Sequence, residues 1–134
     1  MKKMFSLLFI MAMTLMLGGC RLVRIEEEER KPVTYTVVRT GELPEEAETI
    51  VEEKKAGKFQ MTYQSGNDLY LIRGYGKQMS GGYSIQVKEL SESSTAVFFE
   101  TKLIGPAPEE QSGEPSYPYI AVKIKYRDNP VNFQ

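Results

Sequence analysis

One thiol and no imidazole bound the chemistry open to this chain of 134 residues: Cys20 is its single cysteine, and histidine does not occur. Without histidine there is no Ser-His or Cys-His nucleophile pair and no His-bearing zinc site. A lone thiol also rules out an intrachain disulfide, so the fold must be held by its core. Carboxylates and a Ser-Lys pair remain. Aspartate is confined to Asp68 and Asp128, and most glutamates fall in two runs that read as solvated faces. Ser80 and Ser84 lie near Lys77 and Lys88, but at no recognisable catalytic spacing. These residue types point to a protein that is not an enzyme and needs neither metal nor organic cofactor.

The setting of Cys20 gives its thiol a different use. Lys2 and Lys3 precede an apolar run from Phe5 to Leu17, interrupted only by Ser6 and Thr14, and Gly18 and Gly19 lead into Cys20. That run is shorter than the roughly 20 residues a membrane-spanning helix needs. A positive start, a short apolar middle and small residues before a cut describe a secretory signal. Leu17-Gly18-Gly19-Cys20 resembles the bacterial lipobox. The resemblance implies cleavage before Cys20, a diacylglycerol on its sulfur and acylation of the new amine. The residues suit that chemistry, because a thiol is the nucleophile required and glycines admit a peptidase close to the backbone. The expected location is a lipid anchor on the extracytoplasmic face of the cell membrane, in a Gram-positive-like envelope. Arg21 follows the cysteine where an aspartate would favour inner-membrane retention, which leaves an outer-membrane location open.

The 134 residues less the 19 of the signal leave 115, a single-domain length. Loss of Lys2 and Lys3 leaves 15 basic residues against 18 acidic ones. A small negative balance offers no basic face for nucleic acid. Residues 20–31 are charged, with Glu26, Glu27, Glu28 and Glu29 consecutive, and read as a tether from the lipid. Residues 32–134 form the domain.

Within that domain, Val33, Tyr35 and Val37 alternate with Thr34 and Thr36, which predicts a strand. Leu43, Ala47, Ile50 and Val51 have helical spacing. Pro44 stands at the start among Glu42, Glu45, Glu46 and Glu48, while Lys54, Lys55 and Gly57 close the segment, as the helix dipole favours. Residues 58–74 read as a hairpin about Gly66-Asn67. A two-residue turn there sets Phe59 opposite Gly74, Met61 opposite Ile72 and Tyr63 opposite Tyr70 on one face. Gln60, Thr62 and Gln64 meet Leu69, Leu71 and Arg73 on the other. Strands follow at Tyr83-Ile85-Val87, at 95–103 after a turn at 91–94, and at Ile120-Val122-Ile124-Tyr126. The order is β-α-β-β-β-β-β. It predicts an α+β fold with a mostly antiparallel sheet of about six strands and one helix packed on a face.

Two connections stand out. Residues 74–83 hold four glycines with Lys77, Ser80 and Tyr83, but no helix follows, so this is not a phosphate loop. Residues 104–116 carry Pro106, Pro108 and Pro115 with Glu109, Glu110 and Glu114, and are longer than an ordinary connection. They read as a solvated acidic loop or as a partner contact with Tyr117 and Tyr119 beside it. Gly76-Lys77 and Ser80-Gly81-Gly82-Tyr83-Ser84-Ile85 resemble the core motif of the PrcB C-terminal domain family, with Gln78-Met79-Ser80 where that family carries an x-Pro-Thr type of stretch. The likeness runs in order from Leu43-Pro44 through Asp68-Leu69-Tyr70 to Tyr117-Pro118-Tyr119, over about residues 43–125.

The family resemblance implies a protease-associated accessory domain and supplies no catalytic residue. The expected role is a lipid-anchored interaction module that associates with or stabilises a secreted or surface protein, a protease among the candidates. Gly76, Lys77, Ser80, Gly81, Gly82, Tyr83, Tyr117 and Tyr119 form its expected contact surface. Gly81-Gly82-Tyr83 also has a fainter likeness to a loop of chagasin-type cysteine-protease inhibitors, which gives inhibition as an alternative role. A cell-wall or small-ligand binding module, with tyrosines stacking on sugars, is the other.

Overall fold

The computed structural model describes residues 29–134. The expected signal peptide, the lipobox residues Leu17, Gly18 and Gly19, Cys20 and most of the tether lie outside the described residues. Within them the strands are β1 (Lys31–Pro32), β2 (Thr36–Val38), β3 (Lys58–Ser65), β4 (Asp68–Tyr75), β5 (Ser84–Glu92), β6 (Val97–Ile104), β7 (Tyr119–Lys125) and β8 (Val131–Phe133). One α-helix, α1 (Glu45–Lys54), lies between β2 and β3.

Among the described residues the α+β class and the single helix are as expected, but the single six-stranded sheet is not. The eight strands form two four-stranded sheets, ordered β1-β5-β6-β8 and β2-β7-β4-β3. All pairings are antiparallel except β6 with β8. The reason is visible in β4 and β7. Leu69, Tyr70, Leu71 and Ile72 are consecutive and buried, as are Ile120, Ala121 and Val122. A strand with apolar residues on both faces must be covered on both. Tyr70, Ile72 and Ala121 meet Leu43, Ala47 and Val51 of the helix layer. Leu69, Leu71, Ile120, Val122 and Ile124 meet Leu90, Val97 and Phe99 of the second sheet. The domain is therefore three layers: helix, sheet, sheet.

Helix α1 begins after Pro44, with Glu45, Glu46 and Glu48 in its first turn and Lys54 in its last. Two of the acidic side chains are tied down. Glu48 accepts the Gly41 N–H at 3.1 Å, and Glu46 accepts the Tyr63 hydroxyl at 2.9 Å. That carboxylate acceptor raises the Tyr63 pKa above the ordinary tyrosine value. A helix of 10 residues is too short to hold alone, since isolated helices below about 12–15 residues are marginal. Burial of Ala47 and Val51 against the sheet supplies what propensity does not.

The β3–β4 hairpin has the expected register throughout, including Phe59 with Gly74, Met61 with Ile72 and Tyr63 with Tyr70. Gly66 takes φ 59° at the first turn position, which a glycine adopts without strain. Gly74 serves packing instead: a Cβ there would stand 2.1 Å from the Phe59 ring, which lies across it.

Three elements differ from the sequence reading in extent. Regular pairing starts at Lys31, opposite Glu92, and Arg30 packs 3.6 Å over the Phe98 ring while bonding Glu89 at 2.8 Å. Ser91 and Arg30 together hold the Glu89 carboxyl below the ordinary glutamate value. The strand expected over 33–38 is regular only from Thr36, because Val33 crosses from one sheet to the other and is buried between them. β8 escapes sequence reasoning: three residues after Pro130 are too few to show a period.

Candidate functional site

The two connections singled out in the sequence meet at one end of the sandwich and hold each other. Gln78 and Ser116 exchange backbone hydrogen bonds, N–H to carbonyl, at 2.8 and 3.0 Å. Ser80 is buried at 9 % exposure, and its hydroxyl and its carbonyl each have a task. Its Oγ accepts the Ser112 N–H at 3.0 Å and donates to the Gly81 carbonyl at 3.0 Å. Its carbonyl accepts the Ser116 hydroxyl at 2.7 Å. Ser112 Oγ in turn accepts the Gly81 N–H at 2.9 Å. A hydroxyl committed to two backbone groups is a clasp, not a nucleophile. The acidic loop is thus fastened at Ser112 and Ser116, with a single 3-10 turn at Pro108–Glu110.

The glycines permit this closeness. Gly82 has φ 84°, and a Cβ on it would stand 2.9 Å from the Pro106 Cβ. The Tyr83 ring lies over Gly105. Gly76 is buried against the backbone of Gly57 and Lys58, and the Lys77 N–H donates to the Ala56 carbonyl at 3.3 Å. This joins the glycine loop to the C-terminal end of α1.

The structure sorts the expected contact residues. Lys77 and Gly82 are exposed, and Gly81 and Tyr83 are half-buried. Ser80 and Gly76 are buried supports. Tyr119 packs with the helix-side core, its hydroxyl 3.5 Å from that of Thr40. Tyr117 is 37 % exposed, with Lys55 Nζ 5.5 Å from its ring centroid. Lys55 is held above the ordinary lysine value, chiefly by its hydrogen bond to Glu52. Met79, at 75 %, is the most exposed large apolar side chain described and was not foreseen. Its signal was local: an apolar residue inside a short glycine-rich crossing cannot reach the core when its neighbour Ser80 turns inward.

The opposite end of the sandwich carries a cleft of about 490 Å³ among Val33, Tyr35, Asp68, Lys123, Lys125 and Arg127. Arg127 is paired there with Glu92 at 2.7 Å, so the cleft presents mixed charge without a convergent set of one sign. Among the described residues there is no group of three or more Asp or Glu side chains placed to hold a metal ion.

Ser80→Ala tests the clasp. It strands the Ser112 amide and should cost about 1–3 kcal/mol, the usual penalty for removing one partner of a buried hydrogen bond. Chemical denaturation reads the loss. Hydrogen exchange should show the Ser112 amide deprotected while the β4 amides keep their protection.

The model of the PrcB C-terminal family matches residues 69–125. The match starts on β4, ends on β7, and contains both clasped loops. It is the family that the glycine-Tyr motif implied; the likeness at Leu43-Pro44 lies outside the matched segment. No curated protein and no solved structure matches the chain.

Proposed function

We propose, taking the PrcB C-terminal segment as premise, that this protein is a lipid-anchored, extracytoplasmic interaction module that associates with or stabilises a secreted or surface protease, or another envelope protein. The observation that carries this reading is the clasped pair of loops. They form a rigid surface from which Met79, Tyr117 and Lys77 project, and a preorganised surface with an apolar anchor and an aromatic is what a protein partner uses. The Ser80 hydroxyl is engaged in building that surface, which supports a role in binding over one in catalysis.

Placement supports it further. The chain joins the sandwich at Arg30 and Lys31, beside Glu89 and Glu92 at the far end of β5. Met79 and Tyr117 lie at the other end, where β5 begins at Ser84. The strand between them spans about 27 Å at ~3.3 Å per residue. A lipid on Cys20 would leave the clasped loops facing away from the membrane, towards a partner. An inhibitor acting through Gly81-Gly82-Tyr83 would first have to lift Tyr83 from Gly105.

The test is recovery of partners by cross-linking the tagged full chain in its own cells, followed by mass spectrometry. A stoichiometric protease is the expected product. Met79→Asp combined with Tyr117→Ala should weaken its capture about 30-fold, the effect of losing about 2 kcal/mol at an interface anchor, with the circular dichroism unchanged. Capture that survives this double substitution would move the contact away from the clasped loops. Recovery of no envelope protein would remove the reading altogether.

A further inference from the structure

The two sheets have four edges, and three of them are blunted. β1 is two residues long and contains Pro32, while β2 and β8 have three residues each. Such edges offer little backbone to an incoming strand. The fourth, β3, runs for eight residues, Lys58–Ser65, paired only with β4. It has no proline, no bulge in its register, and one charge, Lys58, at its first position.

The hairpin fixes which backbone groups are free. A two-residue turn makes Ser65 and Asp68 a hydrogen-bonded pair, and the alternation of an antiparallel ladder then turns Tyr63, Met61 and Phe59 towards β4. The N–H and C=O groups of Lys58, Gln60, Thr62 and Gln64 point outward, and these four residues are exposed. No backbone partner meets any of those groups among the described residues.

We infer that β3 is a pairing edge for a second copy of this chain, joined antiparallel about a two-fold axis through Met61. The side chains carry the choice of occupant, because this edge is complementary to itself. A two-fold at Met61 sets Phe59 opposite Tyr63, Gln60 opposite Thr62 and Lys58 opposite Gln64, each pair occurring twice, with Met61 on Met61. Aromatic meets aromatic on the helix side, polar meets polar on the other face, and no like charges coincide, as favourable cross-strand pairing requires. The outward-pointing residues Gln60 and Thr62 fall into hydrogen-bonded pairs, so the backbone phase agrees with the side-chain match. Joining two copies in this way makes one eight-stranded sheet and removes the exposed edge.

The test uses the full chain on the membranes of the cells that make it, with the unsubstituted protein as control for Cys20. Met61 would face its own symmetry mate at a Cα separation of about 4.5 Å, inside the disulfide range of about 4.4–6.8 Å. Met61→Cys should therefore oxidise to a species of twice the chain mass, and Gln64→Cys should not. In the Met61→Cys background, Gln60→Glu with Thr62→Glu sets like charges opposite each other and should abolish the product. Gln60→Lys with Thr62→Glu sets opposite charges there and should restore it. These are exposed positions, so the charge exchange does not depend on the fold tolerating a core change. The inference is overturned if Met61→Cys gives no self-linked species, if linking ignores the charge exchange, or if the product has a mass other than twice the chain.

Discussion

Phe99→Ala should destabilise the domain by about 3–5 kcal/mol, whereas Phe98→Ala, one residue earlier, should cost far less. Phe99 is fully buried between the two sheets and meets Phe133 edge to face, ring centroids 5.9 Å apart. Truncating a buried phenylalanine removes its transfer free energy and leaves a cavity that neighbours only partly fill. Phe98 points to the other face of β6, where it is half-buried under the Arg30 guanidinium. A domain of this size has about 5–15 kcal/mol of stability in all, so the Phe99 variant should lose a large share of it. Urea denaturation followed by circular dichroism measures both. Equal losses at the two positions would contradict a sandwich in which only one face of β6 is interior.

That contrast marks where the sequence was legible and where it was not. The β3–β4 hairpin could be read to the residue, because a two-residue turn and an unbroken alternation leave one register that keeps the apolar side chains together. The helix was legible from Leu43, Ala47 and Val51 and from the charges at its ends. The second sheet was hidden by a bulge. Ile85 and Val87 pack on the inter-sheet core, but so does Leu90, which lies on the wrong parity for a regular strand. The register shift between Val87 and Glu89 inserts Lys88 as an extra residue and moves the inward set from odd to even positions. A period-two reading loses the pattern there and sees one short strand. The layer count was nonetheless written in Leu69-Tyr70-Leu71-Ile72: a run with no polar face has no side left for water.

The site was half legible for a related reason. Glycine and proline density located both loops, since backbone freedom and chain reversal have a composition. Nothing in the composition said that the loops bind each other. The clasp is made by Ser80, Ser112 and Ser116 through main-chain partners, and serine at a loop position is too common to signal such a bond. Ser80 reads as a contact residue because it lies in the motif, yet its burial makes it a support. Met79, flanked by that support, is left on the outside.

Replacing Cys20 by serine should abolish lipid attachment completely, because an alcohol cannot take the place of the thiolate nucleophile. The full chain, grown with labelled fatty acid, should incorporate label at Cys20, and the serine variant should incorporate none. The variant should also keep residues 1–19, since the lipobox resemblance implies that cleavage follows modification; intact-mass measurement distinguishes the two forms. The expected product carries acyl chains on both the sulfur-linked glycerol and the amine. At roughly 0.8 kcal/mol per buried methylene, two or more chains hold a protein stably where one is marginal. Equal labelling of both proteins would remove Cys20 as the anchor. A membrane-impermeant amine reagent on intact cells then examines the placement separately: the exposed Lys77 should be labelled in the anchored wild type, and labelling only after lysis would put the domain on the other side of the membrane.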